Sequence, residues 1–236
     1  MKRAAFLLVA LLLTVAGCAS DPARAGSLWT VVQLNPDQRY LVFEAYRHDK
    51  PAVPLAFVLH GWGGEAESYG RLWHEALRGD YRVVALQAPP KRRGGSWIST
   101  WHAATDREFL LSVFDKVSAQ NVDRARTVVI GYSSGAAVAA LAARERRAAV
   151  GGLVLHGAGL SGAPSAYAGL PVFLLVGARD LGFGPQRAQA QLAELQAAGA
   201  KPFLHTEPAD HASVYAKVGR AAQWILNGFT LPVTAE

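Results

Sequence analysis

The stretch IGYSSGAA, residues 130–137, sets two adjacent serines between two glycines where an apolar run meets an alanine-rich segment. Small residues there make either a plain turn or a strained bend that presents a nucleophile. The flanking pattern favours the bend. RTVVIGYS (126–133) has the β-branched run of a buried strand, and residues 134–147 have the composition of a helix. A sharp strand-to-helix turn brings backbones close together, and glycine at 131 and 135 removes the Cβ atoms that would collide. Only Ser133 has glycine two residues away on both sides, since Ser134 has Tyr132 at the corresponding place. Ser133 is therefore the candidate nucleophile, and the backbone N–H of Ser134 is a candidate donor to a developing oxyanion.

Working outward, strand and helix signals alternate. LWTVVQL and RYLVFEAY flank Asn35-Pro36-Asp37-Gln38 and predict a β-hairpin. PLAFVLHG (54–61), YRVVALQAPP (81–90), GGLVLHGAG (151–159), PVFLLVGARD (171–180) and KPFLHTE (201–207) predict further strands. Helices are predicted over 68–77, 105–119, 134–147, 185–198 and 213–226, and residues 91–104 read as a long loop. Such alternation implies one α/β domain, a mostly parallel sheet covered on both faces. Ligands collect at the carboxyl ends of the strands in such a sheet, which is where Ser133 falls.

A serine hydroxyl needs a base, and the base needs an orienting group. Downstream of Ser133, Asp180 closes PVFLLVGARD and His211 follows KPFLHTE. Both fall just past strand ends, in the order serine, acid, histidine. Asp180 has a competing reading as a helix cap, and Asp210 is a competing acid. Neighbouring side chains generally point apart, which favours Asp180 over Asp210 as the partner of His211. His102, His156 and His205 read as packing or loop residues. No pair of histidines has metal-ligand spacing, so neither metal nor cofactor is expected.

His60-Gly61-Trp62-Gly63-Gly64 follows an earlier buried strand and resembles the HG-x-G oxyanion loop of α/β-hydrolases. By that resemblance the Trp62 N–H is the second oxyanion donor and His60 is structural. VPLAFVLHGWGG, ATDREFLLSVFDKV, VDRARTVVIGYSSGAAVAA and VGARD together resemble the secreted esterase branch of that superfamily. This branch includes feruloyl and acetylxylan esterases and polyhydroxybutyrate depolymerase-like lipoproteins. The chain is also similar to the phospholipase/carboxylesterase group. The resemblance covers residues 29–228 and implies an α/β-hydrolase fold and ester cleavage through an acyl-serine. The elbow departs from those groups in reading Tyr-Ser-Ser rather than Ser-Asn or Ser-Gln followed by Gly-Gly. Serine peptidase or amidase chemistry, and a non-catalytic binding protein on the same fold, are the competing readings. The short segment between GGLVLHGAG and PVFLLVGARD leaves no room for a cap domain, so a bulky or polymeric ester is the expected partner. Trp97 and Trp101, on the loop after an earlier strand, are candidate walls of the substrate pocket, with packing beneath the loop as the alternative.

The first residues, MKRAAFLLVALLLTVAGCAS, pair a positive start (Lys2, Arg3) with an apolar run too short for a stable span. Val15-Ala16-Gly17-Cys18 resembles the lipobox of bacterial lipoproteins, and Cys18 is the only cysteine of the 236-residue chain. The expected organisation is a signal peptide over 1–17, a lipidated Cys18 with its tether over 18–28, and a hydrolase domain over 29–236. An ordinary signal peptide is the alternative. The resemblance implies membrane attachment through an N-terminal lipid at the bacterial cell envelope. Ala19 leans towards an outer membrane where the cell has one. The formal charge of +6 comes from scattered arginines with one cluster, Lys91-Arg92-Arg93. With no reading module beside it, that charge does not predict nucleic-acid binding.

Overall fold

The computed structural model describes residues 29–46 and 52–231. The leader, Cys18 and the tether lie outside the described residues. The anticipated hairpin is present as β1 (Trp29–Asn35) and β2 (Gln38–Phe43). The chain then alternates through β3 (Val53–Leu59), α1 (Ala66–Ala76), β4 (Arg82–Gln87), the pair β5 (Pro90–Arg93) and β6 (Ser96–Ser99), and α2 (Ala103–Ser118). It continues with β7 (Val122–Tyr132), α3 (Ser134–Glu145), β8 (Gly152–His156), β9 (Pro171–Gly177), α4 (Pro185–Ala197), β10 (Lys201–Glu207), α5 (His211–Val214) and α6 (Gly219–Leu226).

Eight strands form one sheet in the order β1-β2-β4-β3-β7-β8-β9-β10. The β1·β2 and β2·β4 pairs are antiparallel, and β4 to β10 run parallel. Both faces are covered, as the near-continuous apolar strands require. On one face Phe57, Val129 and Leu155 pack under Phe114 of α2, Val138 of α3 and Leu195 of α4. On the other, Val58, Ile130 and Phe173 pack under Trp73 of α1 and Trp224 of α6. The strand order reverses at β3, where the chain first goes outward to β4 and then returns to β7. The carboxyl ends of β3 and β7 are thus adjacent, and Leu59 pairs with Gly131 there.

Two predicted elements differ. Residues 91–104 are not a plain loop: β5 and β6 form an antiparallel hairpin turning at Gly94 and Gly95, both at positive φ. Lys91 Nζ reaches the buried carboxylate of Asp106 at 2.7 Å, which fastens the hairpin to α2. The helix expected over 213–226 is broken into α5 and α6. The Val214 carbonyl accepts from Lys217 N–H (2.8 Å) and from the ring of His156 (2.7 Å), so the helical ladder stops there. The connection over residues 157–170 folds against α3, where the buried Tyr167 hydroxyl lies 3.0 Å from the Ala140 carbonyl. No cap domain is inserted in it.

The sheet centre depends on the glycines of the elbow. A Cβ on Gly135 would lie 2.4 Å from the Leu59 carbonyl oxygen and 2.5 Å from that of His60. One on Gly131 would lie 2.5 Å from Ala136 Cα. These neighbours are backbone atoms and cannot rotate away. Gly135→Ala should therefore lower Tm by about 4–10 °C, an overpacking cost spread over a chain of this size. A thermal melt followed by circular dichroism measures it, and an unchanged Tm would show that the backbones are not in contact.

Candidate active site

Ser133 sits between β7 and α3 with φ 51° and ψ −117°. A non-glycine residue at positive φ costs about 1–3 kcal/mol and persists only where its surroundings enforce it. Here the Ser133 N–H donates to the His156 carbonyl (2.9 Å) and the Ser133 carbonyl accepts from Ala136 N–H (3.0 Å). The bend lifts Oγ off the sheet edge. His211 Nε2 lies 3.0 Å from Ser133 Oγ, and His211 Nδ1 lies 2.7 Å from Asp180 Oδ2. With Nδ1 facing a carboxylate, that nitrogen carries the proton and Nε2 is left to accept one from the serine.

The two carboxylates that compete in the sequence have separate tasks in the structure. Asp180 uses Oδ2 for His211 and Oδ1 for the N–H groups of Gly182 (2.8 Å) and Phe183 (3.0 Å). It is buried, and α4 begins beyond it at Pro185. Burial opposes its charge, but hydrogen bonds from His211, Phe183 and Gly182 outweigh burial and hold the carboxyl below the usual carboxylate range. Asp210 instead caps α5, with Oδ1 accepting from Ser213 N–H at 2.7 Å. The Ser213 amide and hydroxyl hold its carboxyl low as well.

The loop after β3 lies directly against the elbow: a Cβ on Gly61 would be 3.2 Å from Ser133 Cβ. His60 organises this loop. Its Nε2 faces two donors, Ala88 N–H (3.0 Å) and the Gln87 amide (3.1 Å), so the ring proton is on Nδ1. Nδ1–H donates to the Gly61 carbonyl at 2.7 Å, which also accepts from Gly64 N–H at 3.1 Å. Gly61 C=O and Trp62 N–H belong to one planar peptide, so fixing the carbonyl turns the Trp62 N–H the opposite way. Gln87 fixes the network from below by accepting from Ala66 N–H at the start of α1 (2.9 Å). Burial lowers the His60 pKa to about 4, which keeps the ring neutral. Among the described residues, neither the Trp62 nor the Ser134 amide has an acceptor.

A cleft of about 620 Å³ opens beside Ser133, lined by Gly157, Ala158, Gly159, Leu181, Phe183 and His211 among others. The two tryptophans anticipated as its walls are elsewhere. Trp101 is 4% exposed, stacked on Phe109 at 6.2 Å between ring centres and tilted over His60 at 5.8 Å. It belongs to the core beneath the hairpin. Trp97 is 70% exposed on β6, paired across the hairpin with Arg92, and does not line the cleft. Phe183 and Leu181, which do, escaped the sequence reading; their signal was their place immediately after Asp180. Of the other histidines, His205 meets Glu207 at 2.9 Å, and the His102 N–H caps onto Asp106 at 2.7 Å. Among the described residues no group of three or more His, Cys, Asp or Glu is arranged to hold a metal ion.

The sequence matches the Alpha/beta hydrolase family over residues 56–234. The chain belongs to the alpha/beta hydrolase family. A search of the curated proteins returned no significant match. Solved structures share the fold. The Bacillus cereus carboxylesterase superposes with TM-score 0.60 at 23% identity, covering 83% of this chain and 96% of its own. A carboxylesterase from Mesorhizobium loti gives TM-score 0.63 at 17% identity, with 81% and 97% covered. Arabidopsis thaliana SOBER1 gives 0.61 at 16% identity, with 76% and 100% covered.

If Asp180 orients His211, Asp180→Asn should lower kcat by up to about ten-thousandfold by favouring the wrong imidazole tautomer. Asp210→Asn should leave kcat nearly unchanged, because asparagine also caps a helix. Comparable losses in both variants would remove the distinction. The pH dependence has a definite sign. A carboxyl whose folded pKa is depressed adds stability above its unfolded pKa of about 3.9, and that stability is lost as pH falls through the folded value. Stability of the unsubstituted protein should therefore fall more steeply below about pH 4 than that of Asp180→Asn. Denaturant titrations at stepped pH read this, and parallel curves would contradict it.

Proposed function

We propose that this protein is a serine hydrolase that cleaves carboxylic esters through an acyl-Ser133 intermediate. The observation that carries the reading is the continuous hydrogen-bond line from Ser133 Oγ through His211 to Asp180, with two uncommitted amides beside it. In the first half-reaction Ser133 Oγ attacks the ester carbonyl while His211 Nε2 takes its proton. Negative charge develops on the carbonyl oxygen, which the N–H groups of Trp62 and Ser134 receive at the N-terminus of α3. Collapse expels the alcohol, protonated by His211. Water then attacks the acyl-enzyme with His211 as base, and the acid departs as Ser133 recovers its proton.

Ester cleavage is favoured over amide cleavage because two of the structural neighbours are carboxylesterases. The uncapped cleft suits a bulky or polymeric ester. We further propose that Cys18 carries a lipid that attaches the enzyme to the cell envelope, on the strength of Val15-Ala16-Gly17-Cys18 after an apolar leader.

Fluorophosphonate should label the protein, and Ser133→Ala should abolish both labelling and turnover, a loss of up to about a millionfold. Absence of labelling in the unsubstituted protein would support a binding protein instead. Nitrophenyl esters should be turned over and aminoacyl nitroanilides should not; the reverse preference would make it an amidase. Ser134→Ala should retain activity and equal or exceed the parent in stability. Its buried hydroxyl has no partner, and removing an unsatisfied polar group relieves a desolvation cost. Cys18→Ser should abolish incorporation of a clickable fatty acid in cells, and label persisting in that variant would reject the lipoprotein reading.

A further inference from the structure

The base of the proposed triad stands on a short and exposed support. α5 is four residues long, and the His211 side chain is 43% exposed. A single helical turn has little stability of its own. Two side chains from the sheet add bonds to its first and last carbonyls. Tyr132, between Gly131 and Ser133 in the elbow, donates its hydroxyl to the His211 carbonyl at 2.6 Å. Its ring also lies against the His211 ring, 5.4 Å between centres and 22° from parallel. His156, the last residue of β8, donates Nε2–H to the Val214 carbonyl at 2.7 Å.

Both side chains are locked in turn. The Tyr69 hydroxyl donates to His156 Nδ1 at 3.2 Å, which fixes the tautomer that leaves Nε2–H as a donor. His156 is fully buried, and that burial lowers its pKa to about 4, so it stays a neutral donor in the working range. Burial, with Asp180, Tyr215 and Asp210 nearby, pushes the Tyr132 hydroxyl up to about 12, so it keeps its proton. The rings of Tyr132 and His156 touch, 4.9 Å between centres.

Each of these residues also bears on the nucleophile through its backbone. Tyr132 precedes Ser133 directly, and the His156 carbonyl accepts the Ser133 N–H at 2.9 Å. Each therefore holds the elbow with its main chain and one end of the base-bearing turn with its side chain. We propose that Tyr132 and His156 are positioning residues, two struts that set His211 Nε2 against Ser133 Oγ by pinning the His211 and Val214 carbonyls to the elbow. Neither side chain makes a hydrogen bond to Ser133 Oγ or to His211 Nε2, and the bonds proposed here act on the serine–histidine geometry. Misplacing a reacting group by about 1 Å costs on the order of a hundredfold, so the struts should appear in kcat and not in substrate affinity.

The inference rests on the serine-hydrolase reading, which Ser133→Ala and fluorophosphonate labelling test separately. Tyr132→Phe keeps the ring and removes one hydroxyl. With an activated ester it should lower kcat by roughly ten- to a hundredfold and leave KM unchanged. The deciding comparison is a double-mutant cycle: in the His211→Ala background, assayed with added imidazole as external base, Tyr132→Phe should have no further effect. An equal loss in both backgrounds, or a rise in KM with kcat intact, would overturn the proposal. At position 156, glutamine can offer an amide donor where Nε2–H stands. His156→Gln should therefore retain most of the kcat that His156→Leu loses, while the His156 carbonyl still holds Ser133 in both. If His156→Leu fails to fold, Tyr132→Phe carries the test alone. A readout independent of turnover is the downfield proton of His211 Nδ1–H, assigned by its loss in His211→Ala. It should exchange faster with water in Tyr132→Phe and keep its parent rate in His156→Gln. An unchanged exchange rate in Tyr132→Phe would reject the struts even in a protein that hydrolyses no ester.

Discussion

Everything at the carboxyl end of the central strands depends on how closely the first turn of α3 lies against the end of β3. Gly135 sits where a single added carbon would be 2.4 Å from the Leu59 carbonyl and 2.5 Å from that of His60. This approach joins two segments that are far apart in sequence. It sets the amide at the start of α3 beside the loop that begins at Gly61, and it holds Ser133 at a positive φ that serine does not choose for itself. Strain at the elbow is tolerable because the surrounding backbone is already committed. Eight paired strands and two apolar layers fix β3 and β7, leaving the bend no cheaper conformation. A local penalty of about 1–3 kcal/mol is carried by packing elsewhere.

The same residue type performs three different tasks at this edge, and burial separates them. His60 ends the run after β3, His156 ends β8, and His211 begins α5. The first two are buried and held neutral, with pKa values of about 4, so each acts as a fixed pair of one donor and one acceptor. His60 directs a peptide plane and His156 supports a helical turn. Only His211 combines solvent access with a buried carboxylate behind it, which is the environment in which an imidazole can take and return a proton. On the proposed mechanism, proton transfer falls to His211 alone of the three, because burial and fixed tautomers commit the other two rings.

The sheet and the order serine, acid, histidine were legible in the sequence because both are written in strong local patterns. Apolar runs of six or seven residues ending in glycine or aspartate locate strand ends directly. Other features depend on what tertiary structure places nearby. Residues 91–104 read as a loop because Lys91-Arg92-Arg93 and Gly94-Gly95 lack an apolar alternation, yet the bond from Lys91 to the buried Asp106 holds them as a hairpin. Trp101 read as a pocket wall because it lies in that segment, whereas its burial follows from the passage of α2 and His60 on either side of it. The break between α5 and α6 has no glycine or proline at Val214 to announce it; its cause is a histidine 58 residues earlier in the chain. His156 was hidden for a related reason. A polar residue closing an apolar run reads as packing until its partner is known, although His60 and His156 each stand directly before a glycine, His60 just after β3 and His156 at the end of β8.

These supports bear on what an open site can do. The connection over residues 157–170 folds down on α3 instead of rising over the cleft, so no inserted domain presses the base towards the nucleophile there. In an enclosed site the walls can perform that task and exclude water at the same time. Here the support comes from beneath, where Tyr132 and His156 at the ends of β7 and β8 meet Tyr69 of α1 and Tyr215 at the end of α5. Rigidity supplied from below leaves the upper side free, and it does not change when a large substrate lies across the cleft. On the proposed reading, a site assembled in this way keeps its reacting atoms in register without needing the substrate to close anything over them, a condition that suits an ester on a bulky or polymeric body.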